Sequence, residues 1–74
     1  MTRLTLEFAT APDRDNEVAE IWLGDELVAE MNRESEELVL EIYPSRDRMP
    51  WSLKVDELIA CLEKARATLS EENR

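Results

Sequence analysis

The spacing of apolar residues changes once along this chain, and that change restricts the fold more than any other feature. Before residue 44 the apolar positions recur every second residue; after residue 54 they recur every third or fourth. The first period belongs to strands with one buried face and the second to an amphipathic helix. Strands therefore come first and a helix last. The chain is expected to be α+β, a three- or four-stranded antiparallel β-meander with one C-terminal helix packed on one face.

Leu4, Leu6 and Phe8 alternate with Thr5 and Glu7, predicting a strand over about 3–9. The polar, proline-interrupted run Ala9 to Asn16 reads as a loop. Two apolar segments, about 18–23 and 27–32, flank Gly24-Asp25 and read as a hairpin. A three-residue loop with a bulge sorts the residues more cleanly. It places Ala19, Ile21, Leu23, Leu27, Ala29 and Met31 on one face and Glu20, Trp22, Val28 and Glu30 on the other. A two-residue loop would pair Trp22 with Leu27 and set Glu20 beside Ala29, mixing charge into both faces. After a polar turn at Arg33-Glu34-Ser35-Glu36, Leu38, Leu40 and Ile42 alternate with Val39, Glu41 and Tyr43 in a strand over about 37–43.

The stretch from Pro44 to Trp51 is bounded by prolines and connects sheet to helix. Val55, Leu58, Ile59, Leu62, Ala65 and Leu69 then form one apolar stripe, predicting a helix over about 54–69. Ser52 or Asp56 is expected to start it, with Asp56 and Glu57 in the first turn where the helix dipole favours carboxylates. The tail 70–74 is expected to fray. With 74 residues there is room for one core, so residues 1–74 are read as a single domain.

A domain this short is often reinforced by a disulfide, a metal or a partner chain. The sequence holds one cysteine, Cys61, and no histidine. An intramolecular disulfide and a Cys/His zinc site are therefore ruled out, and no cofactor is expected. The absence of histidine also removes the usual base for a serine or cysteine nucleophile. Gly24 is the only glycine, which excludes the glycine-rich loops that cradle phosphates. Cys61, one residue off the stripe, is expected to behave as a small buried apolar group. No catalytic or metal residues are assigned, and the reading is of a protein that is not an enzyme.

Eighteen acidic residues against nine basic ones give a formal charge of −9. That balance disfavours direct nucleic-acid binding, which depends on a basic surplus. No segment resembles a signal-peptide core or a membrane span, so the expected location is the cytoplasm. The alternation places Glu20, Trp22, Val28, Glu30, Val39, Glu41 and Tyr43 on the sheet face away from the helix. Aromatic and aliphatic residues set among carboxylates there point to a protein-binding surface for a basic partner, of the immunity-protein, antitoxin or inhibitor type. The alternatives are self-association of two copies through that face in a homodimeric structural domain, and a nucleic-acid mimic whose carboxylates occupy the cleft of a nuclease or phage-defence complex. A second candidate surface is the connector with Arg46, Arg48 and Trp51. The rival reading there is structural: Trp51 plugs the open end of the sheet-helix sandwich while the arginines pair with nearby acids.

The stretches Ala19 to Met31 (Ala-Glu-Ile-Trp-Leu-Gly-Asp-Glu-Leu-Val-Ala-Glu-Met), Val39 to Pro44, Pro50-Trp51 and Asp56-Glu57-Leu58 resemble a group of short uncharacterised bacterial proteins. Their pattern is strand, Gly turn, Val-Ala-Glu-Ile, Ile-Glu-Ile-Tyr-Pro, Pro-Trp, then a helix of Leu and Ala. The similarity spans about residues 18 to 69. It implies a compact meander-plus-helix domain and carries over no activity and no site residues.

Overall fold

A computed structural model describes residues 3–10, 17–33 and 36–72, the side chains of 71 and 72 excepted. Residues 11–16 of the expected first loop, 34–35 of the second polar turn and 73–74 of the tail lie outside the described residues. Among the described residues four strands, β1 (Leu4–Ala9), β2 (Val18–Leu23), β3 (Glu26–Asn32) and β4 (Val39–Ile42), precede one helix, α1 (Val55–Glu72). The strands form an antiparallel sheet in the order β1-β2-β3-β4, a meander as expected.

The hairpin combines both registers that the sequence left in competition. Its turn has two residues, with Gly24 at φ 64°, and Trp22 pairs with Leu27. Positive φ at the first turn residue but not at Asp25 matches a type II′ turn, where glycine carries no steric penalty. The register then shifts at the step between Ile21 and Trp22, so that Ile21 faces Ala29 and Glu20 faces Glu30. Val28 is the extra residue of this β-bulge. Leu27 therefore shares a face with Trp22, whereas Val28, 2% exposed, joins Ile21 and Ala29 in the core. The expected faces of Leu27 and Val28 are exchanged, and Val28 is not on the interaction surface.

On its helix side the sheet contributes Leu4, Leu6 and Phe8 from β1 and Ala19, Ile21 and Leu23 from β2, joined by Ala29 and Met31 from β3. Leu58, Leu62, Ala65 and Leu69 of α1 close on them. Ala19 and Ala65 are both fully buried in one cluster, and two small side chains at this contact let the helix come close to the sheet. Trp51 packs against the other cluster and donates its indole N–H to the Tyr43 carbonyl at 2.7 Å.

Helix α1 begins where the Lys54 carbonyl accepts from the Leu58 N–H at 3.0 Å, so neither Ser52 nor Asp56 caps it. Asp56 and Glu57 do lie in its first turn. Glu57 also fastens the helix to the sheet: its Oε1 accepts from the Leu4 N–H at 3.2 Å and its Oε2 lies 3.6 Å from Arg3 Nε. At the other end buried Leu69 anchors the last turns, and the helix runs on to Glu72, through residues expected to fray.

The expected apolar stripe is wider than the surface available to it. Val55 is 69% exposed and Ile59 47%, because α1 lies over β1, β2 and β3 and, among the described residues, comes close to none of β4. Removing side-chain bulk should separate the two classes. Ile21→Ala is expected to cost about 2–5 kcal/mol in urea unfolding, and Ile59→Ala under about 1 kcal/mol. Comparable losses at both positions would mean that Ile59 is buried.

Candidate interaction site

The face of the sheet opposite α1 carries a row of glutamates, one from each strand. Glu7 pairs with Glu20, Glu20 with Glu30, and Glu30 with Glu41. Adjacent strands are about 4.8 Å apart, so four carboxylate side chains leave the sheet in register over about 14 Å. Like charges directly opposite one another destabilise a sheet, at roughly 1 kcal/mol per pair in a water-like dielectric. Glu20, Glu30 and Glu41 were legible from alternation. Glu7 was not singled out, because its place in the row depends on the pairing of β1 with β2.

Neighbouring polar groups hold parts of this row. The amide of Asn32 donates to Glu41 Oε1 at 2.6 Å and to Glu30 Oε2 at 3.4 Å, bridging two members. Glu30 and Asn32 are buried, Glu30 to 8% exposure, while Glu41 and Val39 are exposed. The Trp22 indole N–H donates to Glu20 Oε1 at 3.3 Å, fixing a half-buried aromatic beside the row. Asn32 is the second residue missed: a lone amide at a strand end has no sequence signal until the register sets it beside two carboxylates. Among the described residues no group of three or more His, Cys, Asp or Glu is arranged to hold a metal ion.

Tyr43 stands just beyond β4, where its N–H donates to the Val28 carbonyl at 2.9 Å. It lines a depression with Pro44, Ser45, Arg48, Met49, Pro50 and Trp51. Arg46 binds the hairpin tip: its Nη2 lies 3.2 Å from Asp25 Oδ1 and its Nε 3.8 Å from Glu26 Oε2. With Trp51 packed on the core, the structural reading of the connector holds for Trp51 and Arg46. Arg48 adopts φ 63°, a left-handed conformation unusual for a residue with a side chain, at the end of a turn closed by its N–H to the Ser45 carbonyl. Within the turn the single hydroxyl proton of Ser45 is shared between the Met49 carbonyl and the Asp47 carboxylate. The Met49 N–H and then the Ser45 hydroxyl lower the pKa of Asp47 below its ordinary 3.8. The turn is thus fully supported above that value and loses this support as pH falls through the lower folded one.

On the helix side an apolar groove of about 460 Å³ runs between α1 and β4. Met31 and Leu40 line it from the sheet, Leu38 from just before β4, and Ile59, Leu62, Glu63 and Arg66 from the helix. Ile42, 66% exposed, lies on the same side of β4 as Leu40.

Comparison with protein-family models, with curated proteins and with solved structures finds no match.

Cys61 is half-buried against the core cluster of Ile21, Val28 and Ala29. Burial raises its thiol pKa and the Glu57 carboxylate adds to this, against a smaller opposing effect of Lys64. Less thiolate is then present at a given pH. Reaction with an aromatic disulfide reagent at pH 8 is expected to run about tenfold slower than in urea-unfolded chain; equal rates would show an accessible, unperturbed thiol.

Proposed function

We propose that this is a non-enzymatic acidic interaction protein whose sheet face opposite α1 receives a basic surface of another protein, in the manner of immunity proteins and inhibitors. The observation that supports this most is the in-register row Glu7-Glu20-Glu30-Glu41. Like charges set opposite one another work against a sheet, and a partner's lysines or arginines would convert that repulsion into attraction. Trp22, held by Glu20, offers a rigid aromatic anchor within the same patch. Glu20, Trp22, Glu30, Val39, Glu41 and Tyr43 remain the proposed binding residues, with Glu7 added; Val28, which is buried, is dropped.

The nucleic-acid-mimic reading draws on the same row, since its carboxylates repeat at one strand spacing. It too places a basic protein surface opposite the sheet. Homodimer formation through this face is disfavoured, because it would set two glutamate rows against each other. We place the protein in the cytoplasm, where the free thiol of Cys61 suits a reducing compartment. No helix among the described residues is long and apolar enough to cross a membrane.

The pair of substitutions Glu20→Gln and Glu41→Gln tests the reading. The double variant is expected to be more stable to urea by about 1 kcal/mol and to bind poly-lysine about tenfold more weakly. A control pair of equal charge change, Glu36→Gln with Asp56→Asn, should do neither. If the control weakens binding as much, only net charge is at work and the site is wrong.

A further inference from the structure

The two edges of the sheet differ. At β1 the Leu4 N–H is taken up by Glu57, and Arg3 pairs with the same carboxylate, so the helix closes that corner. All four residues of β4 are exposed; of the devices by which natural edges resist pairing the strand has shortness and the charge of Glu41, but no proline, no lysine and no bulge. The bond from the Tyr43 N–H to the Val28 carbonyl sets the phase of the ladder. By the alternation of an antiparallel pair, Val39 and Glu41 turn their main-chain groups toward β3, and Leu40 and Ile42 turn theirs to the open edge. The side chains of Leu40 and Ile42 face the groove side, while Glu41 ends the glutamate row on the other.

We infer that the basic partner docks on β4 as a fifth strand, through an extended segment in which lysine or arginine alternates with aliphatic residues. The inference rests on the acidic-face reading above and specifies the form of the partner. Its main chain pairs with Leu40 and Ile42. Its aliphatic side chains lie beside those two residues and supply the wall that the groove lacks on its edge side. Its basic side chains fall next to Glu41 and extend the row by one position of opposite sign. A second copy fits less well: in an antiparallel pair of β4 strands Glu41 faces either Val39 or another Glu41, and the two chains each carry −9.

The test uses the full ¹⁵N-labelled chain and a capped eight-residue peptide of alternating valine and lysine, with a control in which two central valines are proline. Amide exchange at Leu40 and Ile42 is expected to slow by at least about tenfold with the first peptide and to be unchanged with the second, which cannot pair as a strand. If both peptides perturb Glu20 and Glu41 equally without slowing those amides, strand addition is wrong and the acidic-face reading stands. If neither peptide binds, both are wrong. Protection of Leu40 and Ile42 that rises with protein concentration in the absence of peptide would replace the partner with a second copy.

Discussion

A single α-helix with its side chains is about 10 Å across, whereas four antiparallel strands span about 14 Å between the outer two. One helix cannot cover such a sheet. The contact between Glu57 and the start of β1 draws α1 toward that edge, and the buried alanines 19 and 65 let it settle over the middle strands. β4 is left uncovered. The exposed Leu40, Ile42, Val55 and Ile59 and the groove between strand and helix all follow from this mismatch of widths.

The opposite face depends on a backbone irregularity. With the two-residue turn alone, Glu20 would stand beside Ala29. The bulge at Val28 restores the register, so that Glu20 meets Glu30 and the row of carboxylates runs unbroken from β1 to β4. The same extra residue turns Val28 into the core, where the connector's Trp51 also packs. One inserted position therefore serves both layers: it completes the core at the hairpin end and aligns the charges on the opposite face. Asn32, bonded to Glu30 and Glu41, eases the repulsion at the β3-β4 end of the row.

Much of this was legible because period and face are coupled. Alternation located all four strands and put Glu20, Glu30 and Glu41 together; the three- and four-residue steps located the helix. The bulge was legible only as one of two loop options, since Leu27, Val28 and Ala29 are all apolar and the pattern does not show which of them is extra. Glu7 and Asn32 were missed because membership of the row is a property of strand pairing. The exposure of Val55 and Ile59 was hidden for a different reason: a stripe of apolar residues shows which side of a helix is nonpolar but not how wide a surface awaits it. Trp51 was placed correctly by a physical expectation, that a tryptophan beside proline in a small domain finds something to cover.

The claim that one helix leaves a strip of apolar surface open along β4 is tested most directly by methyl relaxation in the presence of a soluble paramagnetic agent, at a protein concentration low enough to favour single chains. Methyls of Leu40, Ile42, Val55 and Ile59 should be strongly broadened, and those of Ala19, Ile21, Ala29 and Ala65 should be spared. Equal protection of the two sets would mean that β4 is covered, and would contradict the account.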